Sequence, residues 1–392
     1  MVSPTRVRRA TTLVSYWRDG RLIFENYRNG VVISANPIVT ALLHPLSDWR
    51  TPAEVCSALP NFTASSVRHT LRLLTRHGFV VREGSAEAKE DEKLQAWGPW
   101  LPAGGLLHFS TKDMPYVSDL TESRRALLAR ARDEPAPPEL KEYPHAAHVP
   151  LPHPNTKGEF PQVLLARRTW REFSKQYLDL QDLSTLLWLT CGVQYWVKLP
   201  GSIGRVPLKT SPSAGARHPL EAYVAVLRVR GLASGLYHYS PDKHVLDLIR
   251  KGCTPREFGS YLAGQSWYGS ASALVFMAAL FERSRWKYRD PAAYRTVILD
   301  AGHMCQTFCL TATWLGLAPF CTMALAESKV EKAFGLDGIA ESPVYAAGVG
   351  TRPAKDWAPW PEPGVHLSRK QNSPAGQSYL VARRALRGGK RV

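Results

Sequence analysis

The sequence predicts an α+β or α/β catalytic domain behind a small winged helix. Three observations carry that reading. Apolar runs of strand length alternate with helical stripes beyond residue 160. A long apolar segment between Asp290 and Gly316 has helix signals at both ends. The first 83 residues set a tight hairpin ahead of a capped helical pair.

Taken in order, Leu13 to Trp17 and Leu22 to Asn26 flank Asp19-Gly20, a pair that tolerates the positive φ of a two-residue hairpin. Thr51-Pro52-Ala53-Glu54 is a capping box with proline at the first helical position. The next helix carries Val67, Leu71 and Leu74 on one face and closes at Gly78, and Phe79 to Arg82 follows as a wing strand. Residues 1–82 hold eleven basic and four acidic side chains, a net charge of +7. Residues 84–154 are rich in Glu, Ala and Pro and end in EPAPPELKEYPHAAHVPLPHP. Repeated proline removes donors and fixes φ, so this stretch is expected to be an extended connector.

From 155 to 366 the elements are dense. Leu183, Leu186, Leu187 and Thr190 make a helical stripe stopped by Gly192. Ala222 to Arg228 and Leu274 to Ala279 read as buried strands, and Gly235 to Ser240 with His244 to Leu248 as a hairpin about Pro241-Asp242. Asp290-Pro291 reads as an N-cap and first-turn proline opening a helix to Leu315, with Tyr294, Ile298, Ala301, Cys305, Phe308 and Ala312 on one face. That helix is apolar nearly all round, so burial is expected, with a second subunit as one way to provide it.

Composition narrows the class. Fifty Lys plus Arg against 33 Asp plus Glu give +17 over 392 residues, with 21% charged and 44% hydrophobic side chains. This is ordinary globular usage, which excludes an acidic disordered chain or a collagen. No run reaches the roughly 18 apolar residues of a spanning helix; the most apolar stretch, Val297 to Ala318, is interrupted by Asp300, His303 and Gln306. The start, MVSPTRVRRATT, lacks an apolar core, so no secretory signal is expected. Cys56, Cys191, Cys253, Cys305, Cys309 and Cys321 then read as reduced thiols of a cytoplasmic protein. Cys305 and Cys309 are one helical turn apart near His303, but without a CxxC they read as core packing, and no metal is expected. Residues 367–392 form a basic tail with seven cationic and no acidic side chains, expected to be mobile and solvated.

Three constellations could carry chemistry. Arg167-Arg168-Thr169-Trp170-Arg171 sets three guanidiniums around a hydroxyl, a clamp for a phosphate monoester or else a solvated basic turn. Ser211-Pro212-Ser213-Ala214-Gly215-Ala216-Arg217-His218-Pro219 places small residues between prolines, letting backbone amides approach a flat ligand. Neither GxGxxG after a strand nor GxxxxGK is present, so Rossmann and P-loop nucleotide sites are not supported. Trp286-Lys287-Tyr288 stands directly before Asp290 in this region. An ammonium beside a phenol favours the phenolate, and desolvation favours the free amine, so the pair could supply a base and an orienting charge.

In order and spacing, RRTWREF, SPSAGARHPLEAYV, GLYHYSPDKHVLDLI, the Asp300-Ala301-Gly302 to Gly316-Leu317 helix and PVYAAGVGTRP resemble the nitroreductase superfamily. They look most like its SagB/ThcOx-type branch of azoline oxidases, over roughly residues 150 to 355. The resemblance implies an α+β fold with a central mixed sheet flanked by helices, an intertwined homodimer, and FMN at the subunit interface. It implies that Arg167, Arg168, Thr169 and Arg171 hold the FMN phosphate and ribityl chain, with Arg352 as a second phosphate contact. Pro212, Ser213, Ala214 and Gly215 would lie along the isoalloxazine, and the amides of Met323 and Ala324 would reach its N5 edge. Lys287 and Tyr288 match a pair tied to catalysis. Ala216 departs from the asparagine common in simpler relatives, which weakens that contact. The implied reaction oxidises a thiazoline or oxazoline in a precursor peptide to the azole, beside a YcaO-type cyclodehydratase. The implied role of residues 1–83 is leader-peptide recognition. The alternatives are dehydrogenation of another amino-acid-derived substrate, an NAD(P)H-driven nitroreductase, and a winged-helix DNA-binding flavin sensor. The last is disfavoured because the third helix offers only Arg68, Arg72 and Arg76 as base readers.

Overall fold

The computed structural model describes residues 5–354, apart from 117–118, 135–136, 139, 142–144, 146, 148 and 201–203 and the side chains of 120 and 123–124. The basic tail expected over 367–392 lies outside the described residues.

The N-terminal unit runs β1 (Val7–Arg9), β2 (Leu13–Arg18), β3 (Arg21–Asn26), β4 (Val31–Ser34), α1 (Val39–Leu43), α2 (Pro52–Ser57), α3 (Ala64–Arg76) and β5 (Val80–Arg82). Asp19 and Gly20 turn the β2–β3 hairpin at φ of +50° and +71°. Thr51 and Glu54 form the reciprocal capping box of α2. Val67, Leu71 and Leu74 of α3 close a small core with Phe24, Leu46 and Phe79. The expected wing strand exists as β5, which pairs with β1 rather than with the β2–β3–β4 sheet.

Residues 84–154 correct the connector reading, because they contain α4 (Ala86–Gln95), α5 (Ala103–Ser110) and α6 (Leu120–Asp133). Proline is concentrated beyond residue 134, and averaging it over the whole stretch hid aromatic anchors in front of it. Trp97 and Trp100 are buried, their indole N–H groups donating to the carbonyls of Ile339 at 3.0 Å and Tyr288 at 2.9 Å. Buried His108 bridges the Tyr294 hydroxyl and the Gly338 carbonyl. Lys112 pairs with Glu331 at 2.5 Å, both side chains nearly enclosed.

The rest of the chain adds α7 (Glu159–Ala166), β6 (Leu178–Asp179), α8 (Leu180–Cys191), β7 (Tyr195–Leu199), β8 (Gly204–Leu208), β9 (Leu220–Val226), β10 (Val229–Arg230), β11 (Gly235–Ser240) and β12 (Val245–Lys251). It ends with α9 (Pro255–Ser260), β13 (Ala273–Leu280), α10 (Phe281–Lys287), α11 (Ala293–Trp314), β14 (Ala318–Thr322), α12 (Glu327–Phe334) and β15 (Glu341–Gly350). The central sheet has the order β12-β11-β9-β13-β15-β14. Its pairings are all antiparallel, where the resemblance implied a mixed sheet. The reason is topological: α10 and α11 carry the chain from β13 to β14, and β15 inserts between those strands antiparallel to both. Among the described residues, the parallel pairing is β6 with β10.

Both faces of the sheet are covered. On β13, Ala273, Val275, Met277 and Ala279 point toward α8 and α11, while Leu274, Phe276 and Ala278 point toward α9 and α12. Burial on both faces explains why this strand reads as a continuous apolar run. Helix α11 starts at Ala293, two residues later than expected, because the Asp290 carboxylate accepts the Ala292 N–H at 2.7 Å outside the helix proper. Tyr294, Ala301, Cys305, Phe308 and Ala312 enter the core, whereas Ile298, Leu299 and Trp314 remain 44%, 60% and 45% exposed. No helix among the described residues is long and apolar enough to cross a membrane.

Trp100→Ala tests whether residues 84–116 belong to this core. Deleting a fully enclosed indole costs about 3–5 kcal/mol, so the main denaturant transition should move to markedly lower concentration. A connector would leave that transition in place.

Candidate active site

The loop before β9 is held by a buried acid in α11. Ser213 Oγ donates to Asp300 Oδ2 at 2.5 Å and the Ala214 N–H to Oδ1 at 3.3 Å, while Ser213 Oγ accepts the His218 N–H at 2.9 Å. Ser211 Oγ and Thr307 Oγ1 are 2.7 Å apart, adding a second tie to the same helix. Between these anchors Gly215, Ala216 and His218 take φ of +59°, +55° and +43°. Two of the three are not glycine, so surrounding contacts must sustain the conformation. Burial, reinforced by Lys209 and Arg283, pushes His218 down to about 4, which makes it a neutral group near pH 7.

Helix α10 clamps the other side of the loop. Arg217 Nε donates to the Arg283 carbonyl at 2.9 Å, Arg283 Nη1 donates to the His218 carbonyl at 3.0 Å, and the Arg217 guanidinium lies 4.7 Å over the Trp286 ring. Lys287 and Tyr288 then meet the loop at Gly215. Lys287 Nζ donates to the Gly215 carbonyl at 3.4 Å and sits 5.5 Å from the Tyr288 ring centroid. A methyl on the Gly215 α-carbon would collide with the Lys287 ammonium and stand 2.5 Å from the Tyr288 hydroxyl. The glycine therefore makes room for this pair, a reason the sequence reading assigned to a flat ligand. Lys287 is exposed and Tyr288 half-buried, with its carbonyl fixed by Trp100.

The arginine cluster lies along the end of β14. Arg168 Nη1 donates to the carbonyls of Leu165 and Arg167, closing α7 at its C-terminus. The Trp170 N–H donates to the Pro319 carbonyl at 2.9 Å, and its ring carries the Arg352 guanidinium at 5.4 Å. Arg352 donates to the carbonyls of Leu317 and Thr313, at the C-terminal end of α11, and burial lowers its pKa. Arg168 and Arg352 thus already commit donors to backbone carbonyls. Arg167, Thr169 and Arg171 are half-buried beside them. A cationic edge with a hydroxyl fits the doubly charged phosphate of a flavin mononucleotide.

Met323 and Ala324 follow β14. The Ala324 N–H donates to Thr322 Oγ1 at 3.0 Å. Met323 is 63% exposed and lines a cavity of about 460 Å3 with Tyr294, Ile298, Ala301, Glu327 and Tyr345. Pro212, Ser213, Asp300 and Met304 line a different, smaller recess. In one chain, the two sets of expected site residues therefore lie on different faces of α11.

Sequence reasoning left Asp300 and Glu327 out of the site. A signal existed for Asp300, a lone acid inside an apolar helix; Glu327 resembled any first-turn glutamate. Burial pushes Glu327 up to about 7, partly offset by the Asp113 N–H that donates to it at 2.8 Å.

Comparison with known proteins gives this geometry its family. The family model described as the nitroreductase family matches residues 164–351. MJ1384 of Methanocaldococcus jannaschii, which bears the nitroreductase name, is 32% identical over 170 residues, 43% of this chain and 81% of its own. The trifolitoxin-processing protein TfxB of Rhizobium leguminosarum bv. trifolii is 37% identical over 143 residues, covering 35% of this chain and 38% of TfxB. A solved E. coli microcin synthetase McbBCD complex, with truncated pro-MccB17 bound, superposes at a TM-score of 0.48 with 21% identity, over 67% of this chain and 94% of that one.

Glu327 makes stability depend on pH. Its folded pKa of about 7 stands above the ordinary 4.5, so the folded state favours the protonated acid. That contribution is complete below about pH 4.5 and disappears as pH rises through 7. Melting temperature should fall over this window in the wild type, and Glu327→Gln should remove much of the fall. An unchanged profile in the variant would show that Glu327 titrates normally.

Proposed function

The chain belongs to the nitroreductase family, and from that premise we propose that it is an FMN-dependent oxidoreductase that dehydrogenates azoline rings in a ribosomally made peptide. The observation that carries this reading is the convergence of Lys287 and Tyr288 on Gly215, in a loop locked by Asp300. A reduction driven by NAD(P)H needs no such pair, whereas ring oxidation needs a base at Cα. Similarity to a trifolitoxin-processing protein supports a role in processing a toxin precursor; a YcaO-type cyclodehydratase would be the partner that makes the ring.

The residues divide the work. Arg167, Thr169 and Arg171 would hold the cofactor phosphate, with Arg352 braced beside them on Trp170. Ser213 to Gly215 would support the ring system of the cofactor. FMN, when bound, supplies the two-electron acceptor for the hydride equivalent leaving Cβ of the azoline. Of Lys287 and Tyr288, one takes the Cα proton and the other supplies the charge or hydrogen bond that orients it. Because the two sets of residues face different sides of α11, the complete site would form between two subunits. The exposed Ile298, Leu299 and Trp314 would then be covered. The N-terminal unit would hold the leader of the substrate, along the outer edge of β2, beside a groove lined by Arg8, Arg9 and Ser15.

Cofactor and assembly can be tested together. Arg167→Ala with Arg171→Ala should give colourless protein, since removing a hydrogen bond to a charged group costs about 1.5–3 kcal/mol each time. The yellow wild type should have a dimeric mass in light scattering. Full FMN retention by the double variant, or a flavin-loaded monomer, would reject the assignment concerned.

The decisive measurement is single-turnover flavin reduction by an azoline peptide. Tyr288→Phe and Lys287→Met, each with wild-type FMN content, should lower the rate, the base by about 10²–10⁴-fold. Removing the leader from the substrate should raise KM and leave the maximal rate. Near-normal reduction in both variants would remove the pair from the mechanism, and reduction by NADPH alone would favour the nitroreductase reading.

A further inference from the structure

Two of the six cysteines, Cys305 and Cys309, are four residues apart on α11 and therefore share one face. The fold adds a third that the sequence could not place. On β14, successive side chains alternate: Phe320 stacks on Tyr268 in one core layer, and Cys321 turns into the other layer, toward α11. The sulfurs of Cys305, Cys309 and Cys321 all lie within 4.8 Å of one another.

We propose that these three thiols form a site for one thiophilic divalent metal ion, of which Zn2+ is the physiological type. An equilateral triangle with 4.8 Å sides puts each sulfur about 2.8 Å from its centre. A Zn–S bond is about 2.3 Å, so inward shifts of roughly half an ångström complete the coordination. Rotamer adjustment at χ1 supplies that much without moving backbone. The donor set is soft and the surroundings apolar, the combination that selects such ions over Mg2+ or Ca2+. Three thiolates around a divalent ion carry one net negative charge. Tyr345 packs beside Cys321 at the edge of the same core cluster. Cys321 is less buried than the other two, which gives the ion a way in. Bound metal would tie β14 to α11 and so fix the chain leading to Met323. Core packing alone would account for small apolar side chains here; it gives no reason for sulfur at all three positions.

The test uses the purified full-length chain, kept reduced with a phosphine and titrated with Cd2+ alone. A thiolate-to-metal ultraviolet band should saturate at one equivalent, and Zn2+ should displace it competitively. Cys321→Ser and Cys309→Ser should each lose the band, while Cys253→Ser, outside the cluster, should keep it. Failure of the wild type to show a saturable band would overturn the proposal without reference to any variant. A band of wild-type intensity in Cys321→Ser would overturn it equally.

Discussion

A carboxylate cannot be buried without donors, and Asp300 meets that demand in a way that organises the site. It sits in a helix whose neighbours are almost all apolar, so its partners must come from elsewhere in the chain. The Ser213 hydroxyl and the Ala214 amide provide them. Satisfying the acid therefore draws the loop before β9 onto α11, and beyond the bonded Ser213 and Ala214 the loop takes positive φ at Gly215, Ala216 and His218. Removing either partner of such a buried bond leaves the other unsatisfied, at a cost of about 1–3 kcal/mol. The geometry at Gly215, and with it the approach of Lys287 and Tyr288, follows from where this one charge is held.

A second constraint comes from the aromatic segment between the two larger units. Trp100 fixes the carbonyl of Tyr288, Trp97 fixes that of Ile339, and His108 braces Tyr294 in the first turn of α11. The same segment reaches the N-terminal unit. Asp91 of α4 is buried against Arg8 and accepts both the amide and hydroxyl of Thr11, and Tyr27 stacks on Phe109. The N-terminal unit and Tyr288 are thus connected through packed side chains rather than through a flexible tether.

Much of this was legible in the sequence. The hairpin at Asp19-Gly20, the Thr51–Glu54 box and the α8 stripe ending at Gly192 are local features, and local rules found them. The segment 84–116 was missed because its helices have weak amphipathic patterns and its anchors are two tryptophans, which report burial but no period. The Lys287–Tyr288 pair was visible as a motif, yet its contact with Gly215 spans 72 residues of chain. The third thiol, Cys321, was invisible as a neighbour of Cys305 and Cys309 for the same reason. Strand order sets such contacts, and a single sequence does not state it.

The charge pattern around the two faces of α11 bears on the chemistry directly. At the C-terminal end of α11, Arg167, Arg171 and Arg352 gather positive charge, and burial lowers the pKa of Arg352, so this edge favours an anion. On one face of α11 the recess beside Ser213 holds His218, neutral near pH 7; on the other, the Met323 cavity is walled largely by aromatic and aliphatic side chains, with Glu327 close to its midpoint of titration. A largely apolar wall disfavours highly charged ligands and, under the proposed function, would suit a flat uncharged heterocycle. Lys287 is an exposed cation at the loop, 5.5 Å from the ring centroid of the half-buried Tyr288 phenol. Under the proposed function, a proton taken by this exposed pair would have a path to water, while the arginine cluster would hold the acceptor of the electrons. Asp300 sets the position of that pair, because it holds the loop that Lys287 and Tyr288 meet at Gly215.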